Sequence, residues 1–173
     1  MADNYLEKKM EDYLRGKRIS ASAKSVSHHA CGTAHSVGKQ MFMNSKFCIM
    51  ASGAEEEGLI LTSELSERGA AVAVFIGSRK MASQFVNIGA RVYCMDEEDM
   101  PAMAEKFAEM MRHYFNLKAV CNLSPHISDD WLRAAVYAYE TSLPLPPAKP
   151  ARLVSGTPEA ILHTLSHFVK NKF

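Results

Sequence analysis

The sequence predicts a three-layer α/β domain, in which a parallel sheet of about four to five strands carries helices on both faces. Two observations support this fold class. Short apolar runs typical of buried strands alternate with amphipathic segments of helical spacing, and the alternation recurs through residues 46–142. Right-handed crossovers between successive parallel strands distribute the helices over both faces of one sheet. The alternation suggests the strand order 3-2-1-4.

Local signals then predict each element of this domain in turn. The predicted strands cover residues 47–51, 72–76, 91–95 and 117–123. The helices between them are predicted to end at Gly69, to span 81–88 and 101–114, and to begin after Ser128, which can cap a helix. Four prolines in residues 144–150 exclude regular structure there. A last helix is predicted with Thr157 as its N-cap and Pro158 at its first position.

The first 45 residues are predicted to form an N-terminal helical arm, separate from a domain that covers residues 46–173. Apolar side chains share one face of a helix over residues 4–15, and residues 17–45 have the composition of an extended arm. Such a helix needs a partner surface, and a shortened sheet leaves apolar surface uncovered. We therefore predict a homo-oligomer in which the arm or helix surfaces are buried.

Composition limits the partners and the compartment. A net charge of +1 and a pI of about 7.7 provide no global field for nucleic acid or an anionic membrane. No apolar run approaches the roughly 20 residues that span a bilayer, and the N-terminus lacks the apolar core of a secretion signal. Three of the four cysteines lie in strand-like runs, which favours a reducing cytoplasm.

A cluster of potential metal ligands lies in the arm and consists of His28, His29, Cys31 and His35. It lacks the paired spacing of structural zinc sites, so no metal site is predicted.

The turn after the first predicted strand reads Ala-Ser-Gly-Ala-Glu-Glu-Glu-Gly over residues 51–58. In nucleotide-binding sheets, glycines in this turn let backbone N–H groups approach a pyrophosphate at the start of a helix. Glu55, Glu56 and Glu57 stand where glycines are expected. Two like charges about 4 Å apart repel by roughly 4 kcal/mol at an effective dielectric constant near 20. We interpret the acidic residues as favouring the helix N-terminus rather than retaining a phosphate site.

These segments together resemble the short-chain dehydrogenase/reductase family. The first turn of that family reads Thr-Gly-x-x-x-Gly-x-Gly, and the pattern falls on residues 51–58 with one of its three glycines, Gly58, retained. The Glu67-Arg68-Gly69-Ala70 run matches the family's first helix end, and residues 152–159 resemble its late Gly-x-Pro-Glu helix start. The resemblance covers about residues 46–142 and 151–170, and implies a Rossmann-like fold.

The resemblance also implies NADP or NAD as a cofactor and assigns residues to its contacts. Ser78 and Arg79 lie where the family binds the adenosine ribose, and Asp96 lies near the adenine position. Asn122 matches an asparagine that follows the fourth strand. The full set of implied cofactor contacts is Ser52, Gly53, Gly58, Ser78, Arg79, Asp96 and Asn122.

The resemblance implies that the catalytic segment of the family is deleted here, because only the proline-rich residues 144–150 stand between the helix predicted after Ser128 and Gly156. Three Tyr-x-x-x-Lys strings begin at Tyr5, Tyr13 and Tyr114, and none follows a strand that would supply a catalytic serine. We interpret them as chance matches.

Two functions remain open. The first is a non-catalytic interaction module or a sensor of a small ligand such as a nucleotide. The second is an NAD(P)-dependent oxidoreductase that uses Asn122, Ser124 and His126 at the end of the fourth strand.

Overall fold

A computed structural model describes residues 41–95, 99–147 and 149–170 of the chain. Its strands are β1 (Lys46–Met50), β2 (Ala71–Ile76), β3 (Arg91–Cys94), β4 (Ala119–Asn122) and β5 (Arg152–Ser155). Its helices are α1 (Glu55–Glu67), α2 (Ala82–Asn87), α3 (Met100–His113), α4 (Asp129–Ser142) and α5 (Pro158–Lys170), and a short 3₁₀ turn (Arg79–Met81) precedes α2.

The five strands form one parallel sheet in the order β3-β2-β1-β4-β5. The predicted α/β fold and the order 3-2-1-4 are therefore confirmed. Strand β5 pairs with β4, with Arg152 opposite Ala119, and was not among the strands predicted one by one. Its four residues, Arg-Leu-Val-Ser, are too short to show a period and follow a proline-rich stretch. These residues form a strand because they pair with β4.

Helices cover both faces of the sheet. On one face, α1, α2 and α5 pack on the side chains of Phe47, Ile49, Val72 and Val74. On the other face, α3 and α4 pack on Cys48, Met50, Phe75 and Val120. The methionines of α3 act as core side chains, since Met103, Met110 and Met111 are all buried. Both faces of the central strands are thus protected from water, as expected for a parallel sheet.

The helix boundaries follow the predicted caps. The Ser128 hydroxyl accepts a hydrogen bond from Trp131 N at 3.1 Å and begins α4. The Thr157 hydroxyl accepts one from Ala160 N at 3.2 Å before α5, whose first residue is Pro158. Local capping chemistry therefore sets where these helices begin.

The three cysteines of the strands are buried thiols. Burial raises the pKa of Cys121 to about 12 and raises that of Cys48 well above its ordinary value. None of the helices that the structure describes combines the length and apolar character needed to cross a bilayer. The predicted N-terminal helix and the histidine cluster of the arm lie outside the described residues.

Candidate functional site

An open parallel sheet binds its ligands at the carboxyl ends of its strands, in the crevice where the strand order reverses, which here lies between β1 and β4. Strand β1 passes through Ala51 into a tight turn, in which Gly53 has a φ of 80°. Most side chains disfavour this left-handed conformation, so the turn requires glycine or a similarly tolerant residue. Helix α1 begins directly after the turn at Glu55. The turn therefore joins the carboxyl end of β1 directly to the N-terminus of α1.

The Glu55 carboxylate occupies this turn. Its Oε2 atom accepts hydrogen bonds from Gly53 N at 3.0 Å, from Gly77 N at 3.1 Å and from Ser78 N at 3.4 Å. These three N–H groups come from the loops after β1 and β2 and form a small anion-binding concavity. Glu56 and Glu57, in contrast, are exposed. Of the three acidic residues, only Glu55 is directed at the backbone groups that would bind a phosphate.

Two glycines near Glu55 permit close approach between elements. A Cβ atom on Gly58 would lie 2.5 Å from the Ala51 Cβ, so this glycine allows α1 to press against the end of β1. A Cβ atom on Gly77 would lie 2.7 Å from the hydroxyl oxygen of Ser52, whose side chain is buried. The glycine that the family pattern retains at position 58 therefore has a packing role that needs no ligand.

The His126 side chain covers the turn from the β4 side. A Cβ atom on Gly53 would lie 2.5 Å from both the Nε2 and the Cδ2 atoms of His126. The loop that carries the imidazole is held by Ser124, whose hydroxyl donates to Ser52 O at 2.6 Å and accepts from His126 N at 3.1 Å. His126 is exposed. It lies over Gly53 of the turn.

Asn122 anchors the same loop to β5. Its Oδ1 atom accepts from Ser124 N at 3.1 Å, and its Nδ2 atom donates to Ile127 O and to Asp129 Oδ1, both at 2.8 Å. The Ser155 hydroxyl also donates to Asp129 Oδ1 at 2.6 Å. The hydrogen bonds from Ser155 and then Asn122 hold the pKa of Asp129 below its ordinary value. The Asn122 amide is thus engaged within the protein.

The structure brings most of the predicted site residues to one edge of the sheet. Those that surround the turn are Ser52, Gly53, Gly58, Asn122, Ser124 and His126. Ser78 contributes its backbone N–H, and Arg79 is exposed in the 3₁₀ turn. Asp96 lies outside the described residues. Tyr114, which begins one of the Tyr-x-x-x-Lys strings, is buried just after α3, and its Lys118 precedes β4 at the opposite edge of the sheet.

Sequence reasoning missed three contributors to this edge. Glu55 was identified as acidic, but a glutamate in the first turn of a helix gives no sign of accepting N–H groups from another loop. Asp129 and Ser155 form the link between α4 and β5. The capping residue Ser128 indicates that a helix starts there. No local signal indicates that Asp129 contacts a strand that begins later in the chain.

As arranged here, the residues do not fit the pyrophosphate of a dinucleotide. The three N–H groups that face the turn already donate to Glu55, and His126 lies over Gly53. A phosphate placed there would meet a carboxylate at contact distance. Among the described residues, no group of three or more histidine, cysteine or acidic side chains is placed to hold a metal ion.

Comparison with solved structures finds distant similarity to dehydrogenases. A double mutant of a short-chain dehydrogenase/reductase from Serratia marcescens matches 66% of this chain and 55% of its own length, at 17% identity and a TM-score of 0.43. A cinnamyl alcohol dehydrogenase from Sorghum bicolor matches 88% of this chain at 11% identity and a TM-score of 0.40. This chain spans only 44% of that enzyme. No protein-family model and no curated protein matches the chain.

Proposed function

We propose that this chain is a non-catalytic Rossmann-like module, with a role in interaction or small-ligand sensing, whose phosphate-binding turn is closed by its own Glu55. The observation that carries the proposal is the Glu55 carboxylate on Gly53 N, Gly77 N and Ser78 N. A tethered anion therefore takes the place in which a nucleotide phosphate would have to bind.

The free energies of the interactions involved favour keeping Glu55 in the turn over its replacement by a phosphate. A hydrogen bond to a charged acceptor contributes about 1.5–3 kcal/mol, and an entering phosphate would first have to replace several such bonds. If Glu55 stayed nearby, the two charges would repel by roughly 4 kcal/mol at about 4 Å and an effective dielectric constant near 20. His126 would also have to leave its position over Gly53. Dinucleotide binding therefore requires rearrangement of both side chains.

The test is calorimetric binding of NADP(H) and NAD(H) to three proteins. These are the unaltered chain, Glu55→Ala and Glu57→Ala. The Glu57 variant is the matched control, because it removes the same charge from the same turn of α1 but from an exposed side chain. We expect no binding by the unaltered chain or by Glu57→Ala, and measurable binding by Glu55→Ala.

Two outcomes would contradict this proposal. Tight binding by the unaltered chain would mean that the turn opens around its carboxylate, and would direct attention to substrates. Absence of binding in all three proteins would mean that the Glu55 carboxylate by itself does not close the turn, since His126 also lies over Gly53.

A second candidate function is an NAD(P)-dependent oxidoreductase in which Asn122, Ser124 and His126 serve the chemistry. The observation that favours it is the exposed His126 imidazole at the ligand-binding edge of the sheet, on a loop fixed by Ser124. Cofactor-dependent turnover of a panel of alcohols and ketones, measured for the unaltered chain and for His126→Gln, tests this role. Turnover lost in the variant would support it, whereas unchanged turnover would remove His126 from the mechanism.

A further inference from the structure

The connection between α4 and β5 is rich in proline and in apolar side chains. Residues 143–147, here called the proline segment, are all described by the structure and belong to neither a helix nor a strand. They read Leu-Pro-Leu-Pro-Pro, carry no charge, and place Pro144 and Pro147 at the spacing Pro-x-x-Pro. Proline fixes φ at about −65° and has no N–H to donate, so this composition favours the polyproline II helix.

The backbone at the start of the proline segment has the polyproline II conformation. Leu143, directly after α4, has a φ of −74° and a ψ of 144°. These angles match the polyproline II values of about −75° and +145°. A residue that precedes proline is disfavoured in the helical region, and this restriction applies to Leu143, Leu145 and Pro146 alike. The sequence therefore favours an extended segment before any partner binds.

Both ends of the connection are fixed by Glu140, which lies in the last turn of α4. Its backbone carbonyl oxygen accepts a hydrogen bond from Leu143 N at 3.4 Å, and its Oε1 atom accepts one from Ala151 N at 2.9 Å. Strand β5 then begins, where Arg152 N donates to Lys118 O at 3.1 Å. A segment that is already held in its bound conformation loses little conformational entropy on binding. The fold thus presents the proline segment as a preorganised ligand.

The proline segment lies at the surface. Leu145 is 87% exposed, Pro144 and Pro146 are also exposed, and Leu143 and Pro147 are half-buried. The polyproline II helix has about three residues per turn, so Pro144 and Pro147 lie along one edge of it. Contiguous apolar side chains at a surface are typical of interaction sites, whereas single ones are not. The segment therefore has both the composition and the exposure of a ligand for another protein.

We propose that the proline segment is the ligand of a partner domain that binds polyproline II helices in an aromatic-lined groove. In complexes of this kind, a Pro-x-x-Pro segment docks in the groove, and its preformed backbone keeps the entropic cost low. Pro144 and Pro147 are the residues that enter the groove of the partner. The proposal goes beyond the function proposed above, because the segment shares no residue with the turn that holds Glu55.

The experiment is binding of the whole 173-residue chain to a panel of purified SH3, WW and EVH1 domains, which are domain types with such grooves. Fluorescence anisotropy identifies the domain that binds, and calorimetry then measures its affinity for each variant. We expect at least one domain to bind the unaltered chain. Pro144→Ala should weaken that binding several-fold, and a Pro144→Ala/Pro147→Ala double variant should weaken it at least about tenfold.

Two control variants should bind as tightly as the unaltered chain. Pro101→Ala removes an exposed proline from the first turn of α3, so it tests whether the loss of any proline has the same effect. Glu55→Ala separates this site from the turn after β1. Thermal unfolding shows whether each variant is folded. The single Pro144→Ala change, at an exposed position, keeps the test valid if the double variant unfolds.

Failure of every domain in the panel to bind the unaltered chain would overturn the proposal. So would undiminished binding by the folded Pro144→Ala and double variants, or an equal loss of binding in Pro101→Ala. Binding that persists in Glu55→Ala supports the proposal, whatever that variant does with a dinucleotide. The proposals for the turn and for the proline segment can therefore fail separately.

Discussion

Asp129 is the residue through which β4, α4 and β5 are joined. Its Oδ1 atom accepts hydrogen bonds from Asn122 and Ser155, and Arg133 adds a weaker favourable charge interaction. All three lower the pKa of Asp129 below 3.8, its ordinary value. A lowered pKa means that the ionised carboxylate is preferred in the folded state, so it stabilises that state only while it is ionised.

We expect Asp129→Ala to lower the free energy of unfolding by about 1–3 kcal/mol at neutral pH, because it removes the acceptor of Ser155 and one of the two acceptors of the Asn122 amide. The difference from the unaltered chain should be constant above pH 3.8 and shrink as the pH falls through the lowered pKa. Urea unfolding at a series of pH values measures it. Asp130→Ala is the control in the same turn, since Asp130 is 95% exposed. Equal losses in both variants would contradict this role for Asp129.

Substitution of Gly58 tests the packing of α1 against β1. We expect Gly58→Ala to destabilise the protein by about 1–3 kcal/mol, because the added methyl group would lie 2.5 Å from the Ala51 Cβ. Ala51→Gly in the same chain removes the obstructing atom, so the double variant should recover most of the loss. Thermal or urea unfolding of both variants provides the measurement. A stabilised Gly58→Ala, as helix propensity alone would suggest, would show that the contact yields easily.

Among the elements, α5 is the helix with which the chain crosses to the other face of the sheet after β5. The segments before and after β4 form helices on one face, whereas α5 packs beside α1 on the other face. Ile161 and Leu165 are fully buried there, beside Leu61 and Leu65. Helix α5 therefore completes the core on the face of the sheet that α1 covers.

Leu165→Ala should cost about 2–5 kcal/mol of stability, as expected when a fully buried leucine is truncated. Leu145→Ala makes the same chemical change at a position that is 87% exposed, and should change stability by less than about 0.5 kcal/mol. Chemical denaturation of the two variants compares them directly. Similar small effects in both would mean that α5 is not part of the cooperative core.

At the scale of the whole molecule, two features leave surface for a partner. Within the described part of the chain, β5 pairs only with β4, so it forms an edge of the sheet. Tyr137 on α4 is 70% exposed, and Leu145 after it is 87% exposed. Edge strands and exposed apolar side chains are surfaces that a second copy can cover. We therefore propose a homo-oligomer that buries this helix surface.

Light scattering should give a mass of at least two copies of the 19.2 kDa chain. Tyr137→Glu should shift the equilibrium toward the monomer, because it places a charge in the proposed contact. Ile60→Glu is the control, because this 57% exposed residue belongs to α1 on the other face of the sheet. A monomeric mass at the highest concentration reached would contradict the proposal.

The sequence by itself determined the order of the elements, the parallel sheet and the caps of α4 and α5. These features depend on local periodicity and on side chains that bond to backbone within three residues, as Ser128 and Thr157 do. The burial of the strand cysteines followed from the same apolar runs. Such signals are complete within one segment, so they can be recognised before the chain is folded.

Only the tertiary structure decided the state of the site. Glu55 meets Gly77 across 22 positions of sequence, and Ser124 reaches Ser52 across 72. Strand β5 exists through its pairing with β4, and α5 takes its face from the core that it meets. Each of these features depends on how separate segments are placed relative to one another. The periodicity within either segment carries no information about that placement. For that reason the sequence indicated an acidic turn after β1, and the fold showed that Glu55 accepts hydrogen bonds from three backbone N–H groups there.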